Sequence, residues 1–277
     1  MITARTMTRA ELDLALGWAA EEGWNPGLSD AAAFFAADPE GFLIAEQDGE
    51  PVGCISAVCY GDAFGFLGFY IVRPEYRGRG FGLALWRAAM ARFGSRVVGL
   101  DGVVAQQENY KRSGFVLAHR NVRYGAARPV APQASPGFAI APIAAREIAE
   151  YDRAFFSGPR EAFLRAWTSL PRHVALALRN ASGLVGYGVI RPCREGAKIG
   201  PLFADTPAGA RTLFAALLER APPGPVFLDL PEPNADALAM AIAAGMTPSF
   251  ETARMYAGAA PQLPLPRIYG ISSFELG

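Results

Sequence analysis

Lysine is almost missing from this chain. Of its 26 basic residues only Lys111 and Lys198 are lysine, and the 26 acidic residues bring the formal net charge to zero. A balanced charge argues against nucleic-acid or anionic-membrane partners, which draw on a basic surface. Histidine is nearly as scarce. His119 and His173 lie in different halves with no acid at a suggestive spacing, and no G-x-S-x-G occurs, so a Ser–His–Asp or Cys–His centre has little to build on. The three cysteines match neither a zinc site nor a disulfide framework, which implies no metal and a reducing, cytoplasmic compartment. Cys54 and Cys59, five apart on an expected strand, fall on opposite faces. No apolar run approaches the ~18 residues of a membrane span. The mixed sequence from Met1 through Glu22 does not read as a secretory signal. Asn180-Ala181-Ser182 matches a glycosylation acceptor but reads as a turn before Gly183. What the chain does have is apolar mass: 51% of its 277 residues are hydrophobic and 11% aromatic. That excludes disorder and suffices for one large domain or two modest ones.

Proline marks the organisation. Pro129, Pro132 and Pro136 fall in an aperiodic stretch that reads as a linker over 128–136, between a first unit at 1–127 and a second at 137–277. In the first unit, Thr8-Arg-Ala-Glu11 suits a capped helix running to about Glu22, and Asp30–Ala37 a second helix. Phe42–Glu46 and Val52–Tyr60 flank Gln47-Asp48-Gly49, a hairpin signal. Phe64–Val72 is a buried strand, Gly80–Phe93 a helix by its apolar spacing, Val97–Leu100 a strand, Gln106–Ser113 a short helix and Val116–Tyr124 a strand. The second unit repeats this order. It runs from a strand at Phe138–Ile140 through helical sequence at Ala144–Leu170, a hairpin of Val174–Leu178 with Leu184–Ile190, and a strand at Lys198–Ala204. A helix at Ala208–Arg220, a strand at Val226–Leu230, a helix at Ala235–Ala244 and a strand at Ser249–Tyr256 complete it. A last segment, Ile268–Leu276, is strand-like. Val52-Gly53 and Val185-Gly186, Leu100-Asp101 and Leu228-Asp229, Gly114-Phe115 and Gly245-Met246, and Arg123-Tyr124 and Met255-Tyr256 correspond in order, at offsets of 128 to 133 residues. The fold class is therefore α/β, with two halves of common architecture.

The chemistry concentrates between a strand and a helix, in Val72-Arg-Pro-Glu-Tyr-Arg77-Gly78-Arg79-Gly80-Phe81-Gly82. Three glycines in five residues let main chain approach a ligand closely. The free N–H groups and macrodipole of the following helix then favour an anion, and two arginines add charge, so a phosphate or pyrophosphate is the implied ligand. A Walker loop is excluded, because Gly-Lys-Ser/Thr is absent. A dinucleotide fingerprint has Gly78-x-Gly80 opening a helix and Asp101 ending the next strand. However, its third glycine is displaced to 82, and the strand ends at Val72, five residues before Arg77, whereas the turn of that fingerprint follows its strand directly. A plain glycine-rich turn with solvated arginines is the remaining reading.

Arg77-x-x-Gly80-x-Gly82 after a strand ending Val72-x-Pro74, with Tyr110-Lys-Arg-Ser-Gly114-Phe115 downstream, resembles the GNAT acetyltransferase superfamily. The resemblance covers roughly residues 1–125, with a weaker GNAT-like repeat over 137–258, as in tandem bacterial members with a degenerate second domain. It implies a mixed sheet flanked by helices in two tandem halves. Main chain at Tyr70, Ile71 and Val72 would pair with the pantetheine arm of acetyl-CoA. The amides of Arg77, Gly78, Arg79, Gly80, Phe81 and Gly82 would hold the pyrophosphate, and Tyr110 would protonate the departing thiolate. A phenol of pKa ~10 stays protonated at neutral pH and can donate to a thiolate whose acid has pKa ~8.5; the alternative is that Tyr110 only packs. In the family the loop after the first helix lines the acceptor site, here Trp24 and Asn25, with Trp24 either a wall for the acceptor or a core plug.

The departures matter too. The Asn usual before the tyrosine helix is Val103. In the second half the tyrosine position is Ala241, and no Arg/Gln-x-x-Gly-x-Gly lies between Ala204 and Ala208, which leaves a structural or substrate-shaping role. No base can be named: the glutamate of some members corresponds to Phe66, and Glu21, Glu22, Asp62 and Glu75 read as surface charges. The expected function is an acetyl-CoA-dependent N-acetyltransferase acting on an amine of a small molecule or peptide. A non-catalytic acyl-CoA sensor and a dinucleotide enzyme using Gly78–Gly82 with Asp101 are the alternatives.

Overall fold

The computed structural model describes residues 3–277. The secretory-signal expectation starts at Met1 and Ile2, which lie outside them. The first half runs β1 (Thr3–Thr6), α1 (Arg9–Glu21), α2 (Asp30–Ala37), β2 (Phe42–Gln47), β3 (Glu50–Tyr60), β4 (Phe64–Val72), α3 (Phe81–Phe93), β5 (Val97–Val103), α4 (Gln107–Arg112) and β6 (Val116–Ala126). The second half runs β7 (Ala139–Pro142), α5 (Ala145–Asp152), α6 (Glu161–Ser169), β8 (Val174–Asn180), β9 (Gly183–Pro192), β10 (Ala197–Ala204), α7 (Pro207–Leu218), β11 (Val226–Pro231), α8 (Ala235–Ala243) and β12 (Thr247–Ala257). A short β13 (Ile268–Gly270) follows. Residues 127–136 form no helix or strand. Among the described residues no helix is long and apolar enough to cross a membrane.

Local chemistry explains most boundaries. The Thr8 hydroxyl accepts from the Glu11 amide at 3.3 Å and the Glu11 carboxylate from the Thr8 amide at 2.7 Å, a closed capping box at the start of α1. Asp48 and Gly49 both take positive φ, as a two-residue hairpin between β2 and β3 requires. Cys54 is buried in the core on one face of β3, while Cys59 packs against the core on the other face. Two expectations fail. The helical stretch Ala144–Leu170 is two helices, broken where Gly158 lies against the main chain of Tyr60, too close for a Cβ, and Pro159 follows. The segment Ile268–Leu276 is strand only as far as Gly270.

All thirteen described strands join one sheet in the order β1-β2-β3-β4-β5-β12-β6-β11-β10-β9-β8-β7, with β13 on β10. The order is a palindrome in which the last strand of each half lies inside the other half's territory: β12 pairs β5, and β6 pairs β11. The exchange is locked by reciprocal buried ion pairs. Asp101 on β5 receives Arg254 of β12 at 2.7 Å, and Asp229 on β11 receives Arg123 of β6 at 2.6 Å. Two bidentate arginines across the seam are worth far more as a matched set than as single charges, because either carboxylate left alone would be a buried unpaired charge.

Candidate active site

β4 and β5 pair only from Phe64 opposite Val97 to Leu67 opposite Leu100. Past Leu67 the pairing stops, Phe69 takes a φ of 48°, and the β3–β4 register shifts between Cys54 and Ser56, a bulge that bends β4 away. Gly68–Val72 thus lose a neighbour on one side. The gap is a cleft of about 460 Å³ lined by Glu22, Trp24, Tyr70, Ile71, Val72 and Arg77, among others. It shares Trp24, Tyr70, Val103 and Gln106 with an inner chamber of about 60 Å³ that reaches Asp101, Tyr110, Phe274 and Glu275.

Beyond Val72 the chain makes a single 3-10 turn, Pro74–Tyr76, and then enters α3 through Gly78 (φ 73°) and Gly80 (φ 90°), both left-handed positions that favour glycine. The amides of Tyr76 and Arg77 bond back to Arg73 and Pro74, and Ala84 is the first to close the helix onto Gly80. The amides of Gly78, Arg79, Gly80, Phe81 and Gly82 have no acceptor among the described residues, and Gly80 brings no side-chain cap. Five adjacent unused donors at a helix N-terminus form an anion cradle. The arginines brace it. Arg77 Nε donates to the Val72 carbonyl at 2.8 Å and its guanidinium meets Glu22 at 2.5 Å. Arg79 donates to Gln47 at 2.8 Å with its guanidinium 5.2 Å from the Tyr76 ring centre. A Cβ at Gly82 would stand 2.8 Å from the Tyr70 hydroxyl, so this glycine is what lets Tyr70 lie under the helix.

Tyr110, on α4, is 7% exposed and stacks on Trp86 at 5.8 Å. Burial pushes its phenol pKa well above the ordinary value, and the neighbouring Tyr70 adds to the shift. Burial raises the Tyr70 phenol as well. Tyr110 therefore stays protonated through neutral and mildly alkaline pH. Trp24 is half-buried, and its carbonyl accepts from Arg123 at 2.8 Å and from Lys198 at 3.1 Å. Asn25 turns away from the cleft: its side-chain amide donates to the Glu195 carbonyl and its oxygen accepts the Glu195 amide. The chambers thus gather Trp24, Tyr70, Ile71, Val72, Arg77 and Tyr110 but not Asn25. Sequence reasoning missed the contribution of the second half, namely Phe250, Thr252, Phe274 and Glu275, and missed Gly102, where a Cβ would stand 2.5 Å from the Tyr110 ring. A glycine inside an apolar strand was the only available signal for the last of these.

The dinucleotide reading fails on this geometry. Asp101 is held through both oxygens by Arg254 and through Oδ1 by Asn121 at 2.8 Å, and its side chain has no exposed surface to offer a ribose. The sheet is antiparallel except at β4–β5 and β10–β11, whereas that fingerprint belongs to a parallel sheet.

The second half closes each feature the first leaves open. Only Asp205 and Thr206 separate β10 from α7, whose first turn is capped by the Thr206 hydroxyl on the Gly209 amide at 3.1 Å and begins with Pro207, which has no N–H. β10 and β11 pair only from Ala197 opposite Val226 to Ile199 opposite Leu228, and β13 lies on β10 at Leu202 and Phe203 just beyond. The Ile271 amide then bonds to the Asp229 carbonyl of β11 at 2.8 Å, so the chain's own tail fills the counterpart cleft. Ala241 stands fully buried at the tyrosine position.

Comparison with known proteins agrees with this arrangement. Residues 10–115 match the Acetyltransferase (GNAT) family model and residues 148–270 match an Acetyltransferase (GNAT) domain model. Holothin acyltransferase of Pseudoalteromonas sp. (strain SANK 73390) is 34% identical over 99% of this chain and 94% of its own length. Among solved structures, a proposed acetyltransferase from Pyrococcus horikoshii superposes with a TM-score of 0.84 at 24% identity, covering 100% of this chain and 96% of that one. A tandem GNAT protein from the clavulanic acid biosynthesis pathway gives 0.65 at 15% identity, covering 95% and 100%. At these identities the structural likenesses speak to fold.

Proposed function

The chain belongs to the GNAT acetyltransferase family, as a tandem member and an acyltransferase, and from that premise we propose that it transfers acetyl from acetyl-CoA directly to an amine. The observation that carries the reading is the row of five unused amides at Gly78–Gly82, opening onto a cleft with a buried phenol at its far end. In this reading the first half (1–127) carries the transfer, 128–136 connects, and the second half (137–277) shapes the acceptor side.

Acetyl-CoA, when bound, supplies an acyl group already activated as a thioester. Gly78–Gly82 hold its diphosphate through main-chain donors, with Arg77 and Arg79 fixing the turn. The free edge of β4 at Tyr70–Val72 accepts the pantetheine arm as an added strand; the Val72 carbonyl is engaged by Arg77, which leaves Tyr70 and Ile71 to make the contacts. Tyr110 donates its proton to the departing sulfur, and Trp24 walls the acceptor. The Pseudoalteromonas relative is named for acyl transfer to holothin, which makes holothin the first acceptor to try.

The test is thiol release from acetyl-CoA with holothin and with an amine library, beside calorimetric titration of CoA. Tyr110→Phe is expected to keep CoA affinity and to lose roughly 10²–10⁴-fold in kcat, the usual range for a general acid. CoA binding without transfer to any acceptor would leave a binding protein and end the proposal. Unchanged kcat in the variant would remove Tyr110 from the chemistry.

A further inference from the structure

We propose that Glu275, carried by the C-terminal tail of the second half, is the carboxylate that recognises the acceptor's amino group in the inner chamber and takes up its proton. The inference rests on the reading of the cleft given above and adds to it the group that reading lacks.

The tail leaves the second-half cleft at Ile271 and crosses to the first half. Tyr60 donates to the Leu276 carbonyl at 3.2 Å, and a Cβ at Gly68 would collide with the Glu275 main chain. Gly68 is the first residue of β4 past its last pairing with β5, so the tail is laid on the point where the cleft opens. Glu275 is 4% exposed and lines the inner chamber with Tyr110 and Tyr70. The other acids around the two chambers are committed: Asp101 to Arg254, Glu22 to Arg77. Glu275 alone among them makes no ion pair and no side-chain hydrogen bond among the described residues, although a buried carboxylate normally has both.

The charged groups that face it come from several elements. Arg123 on β6 is held by Asp229, Arg191 on β9 by Asp30 at 3.0 Å, and Lys198 on β10 donates to the Trp24 carbonyl. Asp101, held by Arg254, and the phenols of Tyr70 and Tyr110 line the same chamber. Lys198 makes no ion pair of its own among the described residues, and Glu275 helps to offset the burial that lowers its pKa. It does so from beyond ion-pair distance, which keeps the carboxylate in place and its oxygens free for a ligand. A chamber of about 60 Å³ admits roughly two water-sized groups, enough for an amino group on a stem that extends into the adjoining cleft but not for a bulky centre.

Proton accounting closes with the residues present. Glu275 takes one proton from the acceptor ammonium, leaving the free amine. The nitrogen–carbon bond forms as the carbon–sulfur bond breaks, and the sulfur takes the Tyr110 proton. The second proton released by the nitrogen restores that phenol, and Glu275 passes its own proton to water.

The experiment needs no identified acceptor. Dissociation constants of n-propylamine and of its neutral isostere 1-propanol are measured by calorimetry on the full chain, alone and with CoA, for the unaltered protein, Glu275→Gln and Glu275→Asp. The unaltered protein is expected to prefer the amine by about ten- to hundredfold, the range of a charge-assisted hydrogen bond. Glu275→Gln should bring the two ligands within about twofold, with CoA affinity unchanged, and Glu275→Asp should keep part of the preference. Gly68→Ala, which pushes the tail off β4 while leaving the carboxylate in the chain, should lose the preference as well. No amine preference in the unaltered protein, or the same preference in Glu275→Gln, overturns the proposal. Failure of CoA to bind would sink the acetyl-CoA reading instead, and the amine measurement would still decide for or against Glu275.

Discussion

Gly102→Ala is the sharpest test of whether the position of Tyr110 matters. A Cβ there would stand 2.5 Å from Cε2 and 2.7 Å from Cδ2 of Tyr110, and 3.0 Å from Cδ1 of Leu100. Carbon atoms rest about 3.5–4.0 Å apart, so the ring must shift by roughly 1 Å. Trp86 at 5.8 Å and Phe115 at 6.4 Å flank it, and neither leaves room for a free slide. Overpacking of this kind costs about 1–3 kcal/mol. For a chain of this size each kcal/mol lowers the melting temperature by roughly 2–4 °C, so the variant should still be folded at assay temperature. A displacement of about 1 Å in a reacting group can cost on the order of 10²-fold. Thiol release at saturating acetyl-CoA should therefore fall by about that factor. CoA affinity should stay constant, because Gly102 lies outside the turn at Gly78–Gly82. A variant that melts lower by that amount yet keeps full kcat would show that the ring's place is irrelevant, and Tyr110 would then be a packing residue.

Four further outcomes follow from the same geometry. Gly80→Ala forces a side chain into a φ of 90° and should re-aim the Phe81 and Gly82 amides, raising the calorimetric Kd for CoA about tenfold or more with a smaller effect on kcat at saturation. Arg123→Met leaves Asp229 buried and unpaired and should cost about 3–5 kcal/mol in urea unfolding; Arg123→Met combined with Asp229→Leu should recover most of it. Both histidines are pushed down to about 4, His119 by burial and then Arg254, His173 by burial and then Arg191. The unfolded chain thus binds more protons between the ordinary imidazole value and about 4, so stability is complete above ~6.5 and falls as pH drops. Each histidine should remove about 2 kcal/mol between pH 8 and pH 5, and imidazole NMR signals still titrating near 6.5 would contradict this. Calorimetry should return one CoA per chain, and a stoichiometry of two would refute the closure of the second cleft by Thr206, Pro207 and the tail.

Much of the architecture was legible because local signals and tertiary packing agree. α2 at Asp30–Ala37 and β4 at Phe64–Val72 have the bounds that apolar pattern and flanking turn residues predict. The left-handed turn at Gly78 and Gly80 was legible for the same reason, since glycine spacing dictates backbone shape directly. The strand exchange was not. A strand's own sequence says which face is apolar but not which neighbour it will pair with. The reciprocal arginines were hidden by a single residue: matching Tyr124 to Tyr256 aligns Arg123 with Met255, whereas the arginine that answers it is Arg254. The β12 register shift against β6 falls between those two residues. Glu275 had no motif to announce it, because its surroundings come from β4, β6, β9 and β10 at once.

The two clefts are tied together by the tail, and this gives the second half a physical reason to lack the open amide row and the phenol of the first. Residues Ile268–Gly270 lie where β10 parts from β11, and Glu275 follows Ile271 by four residues, a reach of about 13 Å when extended. A ligand laid along β10 in that cleft would have to expel β13. The expelled segment would draw the rest of the tail off Gly68, taking Glu275 with it. A capped α7, a two-residue connection before it and an alanine at the tyrosine position all keep the second cleft free for the tail. The duplicated fold can therefore keep one open cleft and a tail seated in the other, but not two open clefts with the tail in its present place. On this argument the second half is a wall of the first half's inner chamber rather than a detached copy.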